Sequence, residues 1–208
     1  MKAARKAGRP RQDSGLSHEA IRAAALDLIE RDGLAELSIR KLGKELGCEA
    51  MALYWYYPSK DALLDAVVDE LIAPVAAAVA APAASWLELL RTVARAYRSV
   101  AGAHPHAFPL LATRRFASEG TFQFLDRLFE IARAHGVSDR DAARAYRIVG
   151  SYVSGFALSE LAEPREAAEL RARYPRVAAV TDLLAPKKLD AIFEHGLEVL
   201  LTDLTSSS

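Results

Sequence analysis

Apolar residues recur along this chain every three or four positions, the spacing that gathers side chains on one face of an α-helix. The first such stripe runs from Ile21 to Ile29. Ser17 precedes it in the position of an N-cap, and Gly33 follows it in the position of a C-cap. No segment shows the sustained alternation that is typical of a half-buried β-strand. The pattern therefore predicts an all-α protein.

The segment from Leu37 to Lys60 divides into two short helices joined at a glycine. Ser38 is placed to cap the first helix, and Gly47 supplies the left-handed conformation that a tight turn needs. The second helix, from Glu49 to Tyr56, would be only about 12 Å long and would depend on its neighbours for stability. A short exposed helix braced by another is how many proteins read the major groove of DNA.

Four consecutive aromatic residues, Tyr54 to Tyr57, end this segment. Consecutive helical positions point in different directions, so at least two of these side chains must be exposed, although any one of them also fits a core. Arg40 carries the forked guanidinium that reads a guanine edge. Donors for DNA phosphates are available on Ser38, Tyr54, Tyr56 and Lys60.

A fourth helix begins after Ser59 and has a broad apolar face. Pro74 falls inside this pattern and is expected to end or kink the helix, because proline removes a main-chain N–H and its ring clashes with the preceding turn. Such a helix would link the N-terminal unit rigidly to the rest of the chain. Further helices are predicted from Ser85, from Phe108 to Ala112, from Thr121 to Ala134, from Ser138 to about Leu161, and from Pro186 onward.

Charge is unevenly distributed, although Lys+Arg and Asp+Glu number 27 each. The stretch 1–12 holds five basic side chains and no acidic one. We interpret residues 1–16 as a flexible basic arm, which either contacts a polyanion or is simply solvated, and charge alone favours neither. The single Cys48 excludes an intramolecular disulfide and favours a reducing, cytoplasmic setting. Acidic residues and prolines interrupt the apolar stretch 62–84, so we predict no membrane span.

The sequence predicts no catalytic or metal site, because the candidate residues do not have the spacing that such sites need. His104 and His106 flank a proline but have no third ligand at a suitable distance in sequence, so a loop or helix-cap role is favoured over a metal site. The sequence also lacks the motifs of serine hydrolases, zinc proteases, P-loop proteins and dinucleotide-binding proteins. An all-helical enzyme would need titratable residues gathered in a cleft, and none can be assembled. We predict no enzymatic activity, no metal and no cofactor.

The stretch LYWYYPSKDALLDAVVDEL resembles the most recognisable signature of the TetR family of transcriptional repressors, and the similarity is strong over residues 17–72. It is most similar to the tetracycline repressor branch. The resemblance implies that Arg40 reads a base from the second helix. The other residues it implies are Ala50, Met51, Ala52 and Tyr54 at the base-facing edge, and Ser38, Trp55, Tyr56 and Lys60 at phosphate contacts.

This branch has a glutamine and a proline where the present chain has Ala50 and Met51. Neither residue makes the bidentate contact to adenine that glutamine makes, so the resemblance implies a different operator sequence. Met51 and the flanking alanines would touch thymine methyl groups, or Met51 would pack beneath the helix. Both interpretations remain open at this point.

The segments HAFPLLATR and DAARAYRIVGSYVSGFAL resemble effector-domain helices of the same branch. Alignment on Thr113 and Arg114 puts Leu110 in place of the histidine that holds magnesium, and Ala76 and Val93 in place of residues that hold the drug. The resemblance thus implies a more apolar pocket that does not take magnesium–tetracycline, and an apolar or aromatic effector. Its candidate contacts, each of which also fits a plain core, are Trp86, Tyr97, Leu110, Phe122, Leu128, Tyr152 and Phe156.

The resemblance implies three parts: the arm at 1–16, a three-helix helix-turn-helix domain at 17–62, and an antiparallel helical effector-binding and dimerisation domain at 63–205. Helices at 138–161 and 186–204 would form a four-helix bundle with a second copy. The implied function is a homodimeric repressor that binds a palindromic double-stranded operator and is released by a small molecule. A transcriptional activator or a ligand-independent DNA-binding protein of the same fold is the alternative.

Overall fold

The computed structural model describes residues 16–114, 118–162, 173–180 and 189–206. Within these ranges the chain is helical and has no strand, which confirms the all-α prediction. The basic arm, apart from Leu16, and the predicted helix start at Pro186 lie outside the described residues. The helices are α1 His18–Asp32, α2 Ile39–Glu45, α3 Ala50–Leu53, α4 Lys60–Ala80, α5 Trp86–Ala103, α6 Phe108–Thr113, α7 Glu119–Ala134, α8 Asp139–Glu160, α9 Pro175–Val180 and α10 Leu189–Ser206.

Serine side chains set most of the helix starts. At each of these positions the hydroxyl oxygen accepts a hydrogen bond from the main-chain N–H three residues later, which satisfies a donor that the first turn leaves unpaired. Such a cap contributes about 1 kcal/mol to stability. The capping serines are Ser17, Ser38, Ser59, Ser85, Ser118 and Ser138.

The helix α4 runs through Pro74 and ends only at Ala80, so of the two expectations at Pro74, an end or a kink, the end is wrong. Proline inside a helix costs about 3 kcal/mol or more. On either side of it Ile72, Val75 and Val79 are buried, and burying such side chains contributes about 1.5–3 kcal/mol each. Packing on the core therefore outweighs the missing hydrogen bond, and the proline itself lies on the exposed side.

The arrangement of the helices makes α4 the connecting element of the molecule. The first three helices pack together, and α4 packs on α1 as well as on α5, α6 and α7. The helix α8 lies against α5 and α7, and α10 lies against α8. A displacement of α4 would therefore change its packing both on α1 in the N-terminal unit and on α5, α6 and α7. None of the described helices is long and apolar enough to cross a membrane.

A ladder of ion pairs joins α5 to α10. Three arginines one helical turn apart on α5 face three acidic residues on the antiparallel helix, with N–O distances of 2.6–2.7 Å. The pairs are Arg91 with Glu198, Arg95 with Glu194, and Arg98 with Asp190. Exposed pairs of this kind contribute about 0–1 kcal/mol each, so the ladder mainly fixes how α10 lies along α5.

Candidate DNA-reading surface and ligand cavity

The turn between α2 and α3 is tight because two glycines permit it. Gly47 has φ of 64°, in the left-handed region that a side chain disfavours. At Gly43 a Cβ would lie 3.0 Å from the carbonyl oxygen of Cys48, and the Cys48 N–H donates to the Gly43 carbonyl at 2.8 Å. The two helices therefore approach through main chain alone, which holds α3 firmly against α2.

The α-helical part of α3 covers only Ala50–Leu53, so the predicted extension to Tyr56 is wrong. The chain leaves the helix in a turn, where the N–H groups of Tyr56 and Tyr57 both donate to the Leu53 carbonyl at 3.0 and 2.9 Å. Pro58 disfavours the helical conformation at Tyr57 and so prevents α3 from continuing into α4. The turn carries the aromatic residues around the end of the helix instead of along it.

The outer edge of this unit exposes a set of large side chains. Met51 is 68% exposed, so it does not pack beneath the helix, and Trp55 and Tyr54 are 61% and 42% exposed. Ala50 and Ala52 are half-buried beside Met51, while Leu53 is buried and anchors α3 from within. The edge that the resemblance assigns to bases is thus accessible to solvent and largely apolar.

The aromatic cluster divides into two outward and two inward members. The Tyr57 hydroxyl donates to the His18 carbonyl, and the Tyr56 hydroxyl donates to the Leu16 carbonyl, both at 3.0 Å. Each of these rings also meets the His18 ring edge-on, with centroids 5.1 Å apart. Because the Tyr56 hydroxyl hydrogen is engaged within the chain, a contact from Tyr56 to phosphate requires this hydrogen bond to break.

Lys60 and Ser38 are bonded to main chain but keep donors for a partner. The Lys60 ammonium donates to the Leu37 carbonyl at 2.6 Å, which uses one of its three N–H groups and ties the start of α4 to the start of α2. The Ser38 oxygen accepts from the Lys41 N–H at 3.2 Å, and its hydroxyl hydrogen can still donate. Both side chains combine a structural contact with the ability to bind a phosphate.

Electrostatics separate the cations of α2 into two groups. Lys41 pairs with Asp32 at 3.1 Å, and hydrogen bonds first from Arg31 and then from Lys41 lower the pKa of Asp32 to about 2. The exposed Arg40 and Lys44 have no ion-pair partner in the part of the chain that the structure describes. The positive charge that α2 presents outward therefore comes from Arg40 and Lys44, whereas Lys41 braces α2 against α1.

A cavity lies between α4, α5, α6, α7 and α8. Its volume, measured as the space open to the centre of a water molecule, is about 60 Å³, enough for a few waters. Two of the seven predicted contact residues, Tyr97 and Leu128, line it. The wall is largely aliphatic and aromatic, and the other lining residues are Ile72, Leu90, Val93, Ala94, Leu111, Arg114, Thr121, Phe124, Tyr146, Val149, Gly150, Val153 and Ser154.

Two further predicted contact residues belong to the packing of α8 on α10. The Tyr152 ring stacks on Phe193 with centroids 5.8 Å apart, and its hydroxyl donates to the Phe193 carbonyl at 3.0 Å. Phe156 meets the same Phe193 ring edge-on at 5.3 Å. Their place is explained by the register of the two helices, which turns these rings away from the cavity.

The remaining three predicted contact residues also lie away from the cavity. Leu110 is buried in the core, and Trp86 lines a separate surface groove with His135 and Arg144. Phe122 is 58% exposed on α7. Of all seven residues, only Tyr97 and Leu128 are therefore brought together at the cavity.

Family descriptions of known proteins match both the N-terminal and the C-terminal part of the chain. The family description "Bacterial regulatory proteins, tetR family" matches residues 21–67, and "Tetracyclin repressor-like, C-terminal domain" matches residues 80–206. The chain belongs to the TetR family of transcriptional regulators. The first match covers most of α1, all of α2 and α3, and the start of α4, and the second covers α5 to α10.

Two relatives of this TetR-family chain show how far the similarity extends. A transcriptional regulator of Saccharopolyspora erythraea is 31% identical over 70% of the chain, which spans only 61% of that relative. The class D tetracycline repressor of Escherichia coli is 32% identical, with 89% of this chain and 88% of the repressor covered. These relatives are transcriptional regulators and not enzymes.

A solved structure shows the same fold with a ligand bound. It is a variant TetR of Acinetobacter baumannii AYE in complex with minocycline, 25% identical to this chain, with a TM-score of 0.72. The alignment covers 92% of this chain and 97% of that one. In the described part of the present TetR-family protein, no group of three or more His, Cys, Asp and Glu side chains is placed to hold a metal ion.

Arg114 is the charged member of the described cavity wall, whereas the sequence alone favours a solvated Arg114–Arg115 pair over contact with an anionic effector. It follows α6 directly, and its Nη2 and Nε donate to one Asp65 oxygen of α4 at 2.7 and 3.0 Å. Its Nη1 donates to Asp61 at 3.2 Å. The hydrogen bond to Asp65 is the main cause that raises the Arg114 pKa. In this TetR-family protein the cavity is thus linked to the first turns of α4 through one side chain.

Proposed function

We propose that this TetR-family regulator is a repressor that binds a palindromic operator as a dimer and leaves it when a small molecule occupies the cavity. The observation that carries the proposal is that one helix serves both sites. Ile72 of α4 lines the cavity. Lys60 at the start of α4 is bonded to Leu37 in the DNA-reading unit, by which we mean the segment from α1 to α3. A ligand that moves α4 therefore moves the surface that reads DNA.

On the DNA side, the proposal assigns base contacts to Arg40 and to the apolar edge around Met51. Arg40 is exposed and reaches a guanine edge in the major groove, whereas Met51 offers methyl and thioether surface to thymine methyl groups. Trp55, Ser38 and Lys60 would hold the phosphates on either side. A short apolar edge reads fewer hydrogen-bonding groups, so we expect the operator to be rich in thymine at those positions.

The dimer would form through the outward faces of α8 and α10. On α8 the exposed residues Ser151, Gly155 and Leu158 recur at intervals of four and three, so they share one side of the helix. On α10 the residues Ile192 and Val199 are 47% and 55% exposed, although Phe193, Leu197 and Leu201 are fully buried within the monomer. An apolar face with small residues beside it fits a second copy of itself related by a two-fold axis.

The size of the cavity gives the ligand a means to act. Its volume of about 60 Å³ holds a few waters, so a molecule with two fused rings must push parts of the wall aside. The wall includes α4 and the end of α6. A coupling free energy of about 1–3 kcal/mol between ligand binding and DNA binding is enough for a regulatory switch. The two half-sites of an operator lie one helical turn of DNA apart, about 34–36 Å, so a small change in the spacing of the two DNA-reading units is enough to weaken binding.

The experiment is selection of binding sites from a randomised palindromic DNA library, followed by gel shift at moderate salt. We expect a two-fold symmetric sequence bound by a dimer. Val199→Asp should abolish the dimer and weaken operator binding, because it places a charge in the proposed interface. Phe122→Asp removes an equally exposed apolar group from α7 and serves as the matched control. Selection of no common sequence, or dimer loss in both variants alike, would refute the proposal.

A further inference from the structure

We propose that the effector is an apolar, aromatic anion whose carboxylate or similar oxyanion pairs with Arg114 in competition with Asp61 and Asp65. This inference rests on the proposed function, because it specifies the chemical class of the ligand that the same cavity takes. Its basis is the position of a single guanidinium between an apolar cavity and two carboxylates of α4.

The lining of the cavity selects for an apolar body with one charged group. Most of its described wall is aliphatic or aromatic, from Ile72 on α4 to Val153 on α8, and Arg114 alone among the described lining residues carries a formal charge. Transfer of a carboxylate into such surroundings is costly unless it is paired and hydrogen-bonded. A guanidinium offers a carboxylate two parallel N–H groups, which makes this pairing both strong and directional. A cationic ligand would instead meet Arg114 with like charge.

The pairs that Arg114 already makes explain why binding has a consequence beyond the cavity. Asp61 and Asp65 place two negative charges on one positive charge, at N–O distances of 3.2 and 2.7 Å. A third anion would add repulsion from both carboxylates. The effector therefore binds at the expense of one or both pairs, and Arg114 turns toward the cavity as its hold on α4 weakens.

The two carboxylates occupy the part of α4 that matters for DNA. They stand on the first two turns of the helix, directly after Lys60, whose ammonium bonds to the Leu37 carbonyl at 2.6 Å. Farther along α4, Asp69 accepts from the Gly120 N–H at 2.8 Å and Glu70 pairs with Arg22 at 2.7 Å. Loss of the Arg114 pairs thus detaches the first turns of α4 from the end of α6, while the later turns keep their bonds to α7 and α1.

The experiment compares three probes that share one two-ring body and differ in charge: 2-naphthoate, 2-naphthamide and 2-naphthylmethylammonium. Dissociation constants are measured by calorimetry on the full chain and on four variants. Wild type should bind the carboxylate about tenfold or more tightly than the amide, the gain expected of a charge-assisted hydrogen bond, and should bind the cation least.

The variants separate Arg114 from a general effect of charge. Arg114→Gln should reduce the preference for the carboxylate to about onefold, and Arg114→Lys should restore part of it. Arg127→Gln, on the exposed side of α7, is the matched control and should keep the preference. Asp65→Asn should tighten binding of 2-naphthoate because it removes a competitor, and this variant decides the question if Arg114→Gln fails to fold.

The inference is overturned if the amide binds as well as the carboxylate, if the cation binds best, if Arg114→Gln keeps the preference, or if none of the probes binds at millimolar concentration. It is also overturned if Asp65→Asn weakens the binding of 2-naphthoate. Gel shift in the absence of all three probes measures operator binding by itself, so the test of the effector is separate from the test of the proposed function. Operator binding without a charge preference refutes only the anionic effector, and a charge preference without operator binding refutes only the repressor.

Discussion

The carboxylate of Glu30 on α1 accepts a hydrogen bond from the main-chain N–H of Ala107, directly before α6, at 2.8 Å. The other carboxylate oxygen accepts from the His106 N–H at 3.3 Å, and the Glu30 carbonyl oxygen lies 2.6 Å from His106 Nδ1. At the opposite end of α6, Arg114 is bonded to Asp65 of α4. Both ends of this short helix at the cavity are therefore attached to helices that orient the DNA-reading unit.

Glu30→Ala should lower the free energy of unfolding by about 1–3 kcal/mol, because the Ala107 N–H is buried and loses its acceptor. The measurement is urea unfolding at fixed protein concentration. Glu36→Ala is the control, since its side chain is 66% exposed and lies 3.5 Å from Lys41. That variant should lose less than about 1 kcal/mol. Equal losses would show that Glu30 does not link α1 to α6.

Trp55→Ala should weaken DNA binding and leave stability nearly unchanged, whereas Tyr57→Phe should lower stability and leave DNA binding nearly unchanged. Trp55 is 61% exposed, so its removal should leave unfolding nearly unchanged and weaken binding to all DNA sequences. Tyr57 is buried and its hydroxyl donates to the His18 carbonyl, so loss of this bond should lower stability by about 1 kcal/mol. Its effect on DNA affinity should be small while the protein is folded. Thermal unfolding and gel shift on both variants provide the comparison, and a large loss of stability in Trp55→Ala would contradict the assignment.

Arg40→Ala and Lys60→Ala test the division between reading and positioning. Arg40→Ala should relax specificity at one base position and cost about 1–3 kcal/mol for the preferred operator. Lys60→Ala should weaken all sequences alike and reduce the slope of log affinity against log salt by about one. Arg127→Ala on α7 controls for the loss of one positive charge. An unchanged binding-site profile for Arg40→Ala would contradict its role in base reading, and an unchanged salt slope for Lys60→Ala would contradict its phosphate contact.

Helix starts were readable from the sequence because they depend on local chemistry. A serine before an apolar stripe defines an N-cap by itself, as Ser17, Ser38 and Ser59 show. The sequence alone could not exclude a helix end at Pro74, because the cost of the proline is local, whereas the burial that compensates for it depends on helices far away in sequence.

The cavity could not be assembled in the same way. Phe122 and Phe124 are two positions apart, nearly opposite on a helix, and both fit an apolar stripe, yet packing buries Phe124 and exposes Phe122. Tyr152 and Phe156 were expected at the ligand, but the register of α8 against α10 places them on Phe193. The Arg114–Arg115 pair fitted a solvated surface better than an effector contact, because the place of Arg114 at the cavity depends on where α6 ends relative to α4. These are relations between helices, and periodicity describes only one helix at a time.

The stability contributed by Asp32 should depend on pH. Hydrogen bonds from Arg31 and Lys41 lower its pKa from the ordinary 3.8 to about 2, so the folded state binds the Asp32 proton more weakly than the unfolded state does. The stabilisation is therefore fully present above about pH 4 and is lost as the pH falls toward 2. The difference in urea midpoint between wild type and Asp32→Asn should be constant from pH 7 to about pH 5 and should shrink below pH 4. A difference that grows on acidification would contradict the ion pairs that brace α2.

Gly196→Ala should disturb the contact between α10 and α8, because a Cβ at this position would lie 2.2 Å from the Tyr152 hydroxyl oxygen and 2.7 Å from Cζ of the ring. The ring itself must move, which breaks its hydrogen bond to the Phe193 carbonyl. We expect a loss of about 1–3 kcal/mol, the usual cost of overpacking. The exposed Gly102 on α5 is the control, since a Cβ added there would have open space within 4 Å and alanine should stabilise the helix by about 0.5–1 kcal/mol.

A double-mutant cycle with Tyr152→Ala identifies the cause of the loss. If the clash is with Tyr152, Gly196→Ala should cost little once the ring is gone, so the two substitutions should be non-additive by about 1 kcal/mol or more. Urea unfolding of all four proteins at one concentration keeps any contribution from dimer formation constant. Strict additivity would mean that the alanine methyl group meets another obstacle. The close approach of α10 to α8, on which the proposed dimer face depends, would then need a different explanation.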